Sequence, residues 1–486
     1  MRATVPLALS RRSLPLTIDM KSYYLGIDLG TSSVKGILRS ADGDTVKGRS
    51  SYSEKTVAGW KAAIRTMLAE MLDELKERGG TVAAVSFSSQ VGTYVIDGEY
   101  VVGWQSSAGR EELAEIKSMI SEEEFIDAIG MPHPDIISYP LPRLLYIQRN
   151  YPNAREVLMP KEHLIREWTG ETVTDVFSMR GIVHPKTGHY ATELMARLGI
   201  TLRLPPVKRP TDLAGRVSAE ASAVYGLPEG IPVYLGCNDF FAGLLGMGVY
   251  GTNTAFDLSG TSEHIGFISE SFVPCGMVSG GYFNGFCTYG GTKSSGVSCA
   301  FAMKHFDLGE ISSVEELLSE RPPLFLPYLN GERAPIFDEN ARGVYFGIRE
   351  ETEKKHMAYA TLEGVTFSLW DIAEHLGMPH PDRLICGGGS AVDPVMNALR
   401  AQLFSCEVLC VKENDTSALG AMMLAAVGAG FYQTLPEAIE GCVSYHEPIK
   451  PHGAYRDVLK ARFAVYQRLY RDLKETFVLF NEGEKL

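Results

Sequence analysis

Eight cysteines are scattered through 486 residues without any CxxC spacing or CxxC…H pattern, so neither a disulfide framework nor a zinc site is encoded. Reduced thiols and a cytoplasmic location are expected. Long apolar runs are missing as well: Ala418 to Tyr432 covers about 15 glycine-interrupted residues, short of the roughly 18–20 that a bilayer requires. A buried helix is predicted there. Basic residues are in deficit, 46 against 59 acidic, and a net charge of −13 repels nucleic acid wherever no local patch overrides it. Neither the low apolarity of disordered chains nor a collagen or mucin bias is present, since 45% of residues are hydrophobic and 22% charged. What remains is a chain long enough for two to four domains.

The first nineteen residues differ from the rest. Arg2, Arg11 and Arg12 face a single acid, Asp19, and Ser-Arg-Arg-Ser superficially resembles a twin-arginine export signal. The apolar run behind it, Leu14 to Ile18, is too short for export. An over-extended start is the expectation, because Met20 directly precedes the apolar strand that begins at Tyr23.

From Tyr23 the pattern runs strand, turn, strand, turn, strand, helix. YYLGIDLG, VKGILR and TVKGRSSY predict an antiparallel hairpin sheet broken by ADGD. Over residues 58–78, Trp60, Ile64, Met67, Leu68, Met71, Leu72 and Leu75 recur at three- and four-residue intervals and predict a helix stopped by Gly79-Gly80. VAAVSFSS then reads as a buried strand. The second half repeats the theme: TAFDLSG at 254–260, an alternating segment from Glu263 to Ile268, glycine-rich strands to Tyr289 and a helix over Ser294–Phe306. Two similar α/β lobes facing a cleft are expected, 20–250 and 251–486, joined near Gly246–Gly251 behind the 1–19 extension.

Three turns carry candidate chemistry. In DLGTSSVKG, Asp28 closes a strand as an anchor for hydrated Mg²⁺, and Gly30, Thr31, Ser32 and Ser33 form a turn whose N–H groups suit phosphate oxygens, with Lys35 as a nearby cation. In DLSGTSEHIG, Gly260, Thr261 and Ser262 offer a second hydroxyl- and glycine-rich turn. In LICGGGSAVDP, Gly387, Gly388, Gly389 and Ser390 end an apolar strand, and a helix is expected from Ala391. Each alone is equally a structural turn, and none is a Walker A loop or a Rossmann fingerprint.

Their order over about 360 residues resembles the actin, Hsp70 and hexokinase superfamily of two-lobed nucleotide-binding proteins. Within it, GVYFGIREETEKKHMAYATLE (343–363), YLNGERAPIFDENARG and LMPKEHLIREWTGETVTD (158–175) are similar to the signatures of the FGGY carbohydrate kinases. The resemblance implies an α/β fold of two ribonuclease H-like lobes around a central cleft. It also implies ATP and Mg²⁺ as cofactors, the metal near Asp28 and Asp239. In LGCNDFFAGLLGMG the matching aspartate, Asp239, takes the role of general base; read from the residues alone, it could equally be an N-cap. The signature itself reads as structure, with Gly343 and Gly347 turning a strand and Met357–Trp370 forming a core helix.

By position, Gln90, Trp104, Arg110, Asn238 and Asp239 are the expected sugar contacts. Trp104 reads equally as a packed aromatic and Arg110 as a surface ion-pair partner. Glu263 and His264 beside the second turn are noted, the histidine as a structural residue. The chain departs from many xylulose kinases of the family. Gln90-Val91-Gly92 stands where Gln-Met-His-Gly is common, five residues separate Trp104 from Arg110 in place of Trp-x-Asp-x-Arg, and Phe240 occupies an often polar position. These changes count against D-xylulose itself. The reading is therefore ATP-dependent phosphorylation of a small sugar, a ketose such as a pentulose. The alternatives are a polyol or sugar-acid kinase (glycerol, erythritol, gluconate) and an actin- or Hsp70-like switch with a protein partner. No nucleic acid or membrane partner is expected, and a homodimer is compatible with it.

Overall fold

The computed structural model describes residues 21–133, 136–260, 263–273, 278–306, 313–453 and 455–483. The 1–19 segment and two residues of the second turn, Thr261 and Ser262, lie outside the described residues. The first hairpins form as expected. Strands β1 (Lys21–Leu29), β2 (Ser33–Ser40) and β3 (Thr45–Ser51) are antiparallel, with Asp28 opposite Lys35. Helix α1 (Val57–Glu77) starts where the Thr56 hydroxyl accepts the Gly59 N–H at 3.1 Å, and it buries Trp60, Ile64, Met67, Leu68, Met71 and Leu75 against the sheet. Strand β4 (Gly80–Ser89) then runs parallel to β1. After a long insertion, β5 (Leu213–Arg216) and β6 (Pro232–Asn238) complete the order β5-β6-β4-β1-β2-β3.

Helix α2 (Asp239–Gly246) leads to the second sheet, built from β7 (Thr254–Ser259), β8 (Glu263–Ser269), β9 (Val278–Tyr282), β10 (Gly285–Thr292), β11 (Arg383–Gly388) and β12 (Glu407–Cys410). Its order is β9-β10-β8-β7-β11-β12. In both sheets the first strand sits between an antiparallel second strand and a parallel later one, and a further parallel strand lies beyond that. The likeness of the two halves is thus present in topology, although their sequences differ.

Helix α3 (Lys354–His375) is longer than the predicted core helix and packs Phe367, Leu369 and Ile372 with Ile265, Phe267 and Leu399. The third turn differs from expectation. A 3₁₀ turn covers Gly389–Val392, and the α-helix, α4 (Pro394–Phe404), begins only at Pro394. Proline fits the first helical position and disfavours helical backbone before it, while the Asp393 carboxylate accepts the Met396 N–H at 2.8 Å. Asp393→Ala is expected to cost about 1 kcal/mol in denaturant unfolding.

The predicted buried helix is α5 (Thr416–Gly428). Although encoded after the second sheet, it covers the face of the first sheet opposite α1 and crosses α2. A shared core holds Ile37, Phe241, Leu244, Phe256, Ile385, Ala418 and Met422 between the lobes. The crossing is backbone on backbone: a Cβ on Gly246 would lie 1.9 Å from the Thr416 carbonyl oxygen, and one on Gly420 1.9 Å from that of Ala242. The insertion after β4 has its own core, including Tyr94, Ile116, Phe125, Leu144 and Ile182. Among the described residues, no helix is long and apolar enough to cross a membrane.

Candidate active site

The parallel strands β1, β4 and β6 end side by side, the edge of an α/β sheet where ligands collect. There Asp28 pairs in register with Ser88, and Ser88 with Cys237, two residues before Asp239. The Asp28 carboxylate is buried and accepts the Ser88 hydroxyl at 2.8 Å. Burial pushes its pKa up to about 6, against the opposing pull of Ser88 and Lys35. Asp239 is raised further, to about 7, by burial and by repulsion from Asp28, with the Phe240 N–H and Arg180 opposing. Two carboxylates raised toward neutrality at neighbouring strand ends fit a proton-transfer or cation site. Asp239 is not the N-cap: the Asn238 side chain accepts the Phe241 N–H at 2.9 Å, which leaves the aspartate to accept the adjacent Phe240 N–H.

The first turn, Gly30–Ser33, closes beside these carboxylates through the Gly30 N–H to the Ser33 carbonyl at 3.1 Å. Lys35, expected at a phosphate, is paired with Asp415 at 2.9 Å. That aspartate and its neighbours bring the start of α5 to the site: the Ser417 hydroxyl donates to the Asp239 carbonyl at 2.9 Å. Asp415 and Ser417 were missed because the sequence pattern marked only the apolar part of this helix; Asp-Thr-Ser before a small-residue run was the available signal.

In the second lobe the other two turns meet. The Ser259 hydroxyl donates to the Gly387 carbonyl at 3.0 Å, and the Ser390 N–H donates to the Ser259 hydroxyl at 2.8 Å. Gly388 has φ 86° and ψ −165°, and a Cβ there would lie 1.9 Å from the Ser259 carbonyl oxygen, so only glycine permits this approach. Gly389 faces open space. Beneath, Arg400 binds Asp257 and Glu263, each at 2.7 Å, and Glu263 accepts the Ser390 hydroxyl, so this buried network holds the turn from behind.

The expected sugar contacts separate. Trp104 is no core aromatic: it is 40% exposed and its indole N–H donates to the Thr31 hydroxyl at 3.3 Å, across the first turn. Arg143, overlooked in the sequence, is fully buried and fixes that loop by donating to the carbonyls of Trp104 and Ser106. Gln90 is buried beside β1, its N–H on the Leu29 carbonyl. Arg110 is exposed at the start of the helix Arg110–Met119. The Asn238 amide is engaged at both ends, through Phe241 and the Phe177 carbonyl. In the space near Asp239 stand three further residues: Arg180 from the insertion, and His264 and Tyr289 from the second sheet.

Two topologically matched lobes, with carboxylates and a glycine turn at the strand ends of the first and two more small-residue turns at those of the second, define a phosphotransferase of the actin- and hexokinase-like fold. The chain belongs to the FGGY family of carbohydrate kinases. The family's N-terminal domain matches residues 23–246 and its C-terminal domain residues 302–429. The xylulose kinase of Lactococcus lactis is 30% identical over 469 residues, covering 88% of this chain and 92% of that protein. A ligand-bound xylulose kinase from Lactobacillus acidophilus superposes with a TM-score of 0.81 at 23% identity, over 94% of this chain and all of that one. A gluconate kinase from the same species gives 0.81 at 23% identity, over 95% and 100%.

Proposed function

We propose that this sugar kinase transfers the γ-phosphoryl group of ATP to a hydroxyl of a small open-chain sugar, with Asp239 as the base. The carrying observation is the pair Asp28, buried, and Asp239, partly buried, both raised toward neutrality at the strand ends, Asp239 in part by the charge of Asp28. Asp239 accepts the proton of the attacking hydroxyl, which needs a base with pKa near the working pH. The turns at Gly30–Ser33 and Gly387–Ser390 contribute N–H groups toward phosphate oxygens, and lobe closure excludes water that would otherwise accept the phosphoryl group. Two repelling carboxylates fit Mg²⁺, which needs only one or two from the protein. Asp28 and Asp239 would hold it, and bound there it supplies charge neutralisation for the phosphates. The lobes are taken as 20–250 and 251–486.

A pentulose is the first reading of the acceptor, after the xylulose kinases that the chain resembles. A sugar acid is the second, favoured by the guanidinium of Arg180 beside Asp239, whose buried Nε has no hydrogen-bond partner. Screening pentuloses, hexuloses, heptuloses, glycerol, erythritol and gluconate for acceptor-dependent ADP release tests the reaction. Stimulation by none of them sinks the kinase assignment. Because Asp239 must be ionised to act, kcat/KM is expected to rise about tenfold per pH unit below 7 and to level off above it. A flat profile between pH 5.5 and 8 would contradict a base of that pKa.

A further inference from the structure

Arg180, partly buried, packs its guanidinium against aromatic rings from both lobes. Its Cζ is 5.2 Å from the centroid of Phe241, 5.5 Å from Tyr139 and 5.7 Å from Tyr289. Stacking occupies the faces of the guanidinium and leaves its in-plane N–H fork for other partners. Its Nε is buried without a hydrogen-bond partner, and among the described residues it forms no ion pair. The neighbouring carboxylate, Asp239, is itself raised toward neutrality, so this desolvated cation is incompletely balanced and favours a negative group that arrives with a ligand.

A second arginine stands on the same wall. The Nη2 of Arg333 donates to the Thr292 carbonyl at 3.1 Å, while its Nε is also buried and unpartnered. The neighbouring Glu332 offsets part of its charge from a distance, but makes no ion pair with the guanidinium among the described residues, its carboxylate accepting the Thr292 hydroxyl and the Lys293 N–H, each at 2.6 Å, and the Arg333 N–H. His264 joins the two arginines. Its ring lies 5.6 Å from that of Phe240 and 5.9 Å from that of Tyr289. Burial and the charges of Arg333 and Arg180 hold it neutral, down to about 4, so its ring adds a polar edge without adding charge. Phe240 packs between His264 and Phe256, which fills a position where a polar side chain could otherwise have served an uncharged hydroxyl.

We propose that Arg180, backed by Arg333, is the specificity-determining residue of the acceptor pocket and binds a carboxylate on the sugar. This rests on the phosphotransfer reading and decides between its two acceptors in favour of the acid. A planar carboxylate matches the two-pronged guanidinium edge, whereas a ketose offers only neutral hydroxyls and leaves the cation unbalanced. An arginine serving the transferred phosphoryl group instead would act on every acceptor equally, and that difference makes the assignment testable.

The experiment measures ADP release with acceptors matched except for charge: gluconate against glucitol, xylonate against xylitol, and D-xylulose as the neutral ketose. In the unaltered protein, kcat/KM for the better acid is expected to exceed that for its alditol by about 100-fold or more, the penalty for leaving a buried charge unpaired. Assayed at about pH 9, where Asp239 is ionised in either protein, Arg180→Gln should lower the ratio of kcat/KM for the acid to that for its alditol by about 100-fold, and Arg180→Lys should recover part of that ratio. The melting temperature of the unaltered protein gives a readout independent of turnover and of whether the variants fold: gluconate should raise it and glucitol should not. An acid no better than its alditol overturns the assignment, as does an equal loss on charged and neutral acceptors in Arg180→Gln. Phosphorylation of neutral ketoses alone overturns the carboxylate site and leaves the kinase reading standing. ADP release with no acceptor at all overturns both.

Discussion

Asp239→Asn is expected to lower turnover by about 10³-fold while affinity for ATP without Mg²⁺ stays within about threefold. Asparagine keeps the shape and still accepts the Phe240 N–H, so α2 begins as before. What it loses is the capacity to take a proton from the attacking hydroxyl. The same change carries a stability signature. Folding raises the pKa of Asp239 from 3.8 to about 7, so the folded chain binds more protons than the unfolded chain between those values. The stability that goes with the protonated form is fully present below about pH 4 and is lost as pH rises through 7. Asparagine cannot ionise and escapes that loss. The variant should therefore melt at or above the temperature of the unaltered protein at pH 8, and the gap should close toward pH 5. Stopped-time ADP assays, calorimetric ATP binding and melts at both pH values read all three effects. Near-normal turnover would remove Asp239 from the role of base.

Gly420→Ala carries the largest expected structural effect. The added methyl would stand 1.9 Å from the Ala242 carbonyl oxygen, a backbone atom that no rotamer change can move aside. Helices α2 and α5 must separate, at a cost of about 3 kcal/mol and a melting temperature lower by about 5 °C. Catalysis should suffer more than stability. The Ser417 hydroxyl, three residues earlier on α5, holds the Asp239 carbonyl at 2.9 Å, and Lys35 pairs with Asp415 at the same helix end. A shifted crossing misplaces the base, and small displacements of a reacting group cost about 100-fold. Unchanged melting and turnover would show that the contact relaxes without moving either helix.

Local patterns were legible because they record local physics. The three- and four-residue spacing in α1 and the alternation in β1 to β3 report which faces are buried, and both elements formed where that spacing put them. The glycine turns were visible because small residues stand where the backbone must come close, as at Gly388. The start of α4 was misjudged by three residues, since the helix needed Asp393 and Pro394 and not merely the end of the glycines. Convergence over long separations left no local trace. Arg180, His264, Tyr289 and Arg333 come from separate segments, and nothing in the spacing of any one of them announces the others. His264 looked like an ordinary structural histidine for that reason. Asn238 was drawn toward sugar contact by position, yet its amide is consumed in starting α2 and holding the Phe177 carbonyl.

The placement of α5 also bears on how the chain comes off the ribosome. Gly26 on β1 lies so close to this helix that a Cβ there would be 2.1 Å from the Ala418 carbonyl oxygen, a contact between residues nearly 400 positions apart. While synthesis is under way, the first sheet can clothe its α1 side fully. Its other face, with Ile37 and Cys237, has only the short α2 against it until residue 428 has cleared the exit tunnel. At 5–20 residues per second that interval lasts about ten seconds or more, during which an apolar sheet surface is open to aggregation or to chaperone capture. The two halves are therefore sequential in the gene but not in folding, and a chain cut after the first lobe should emerge as a client of holdases and not as a free domain.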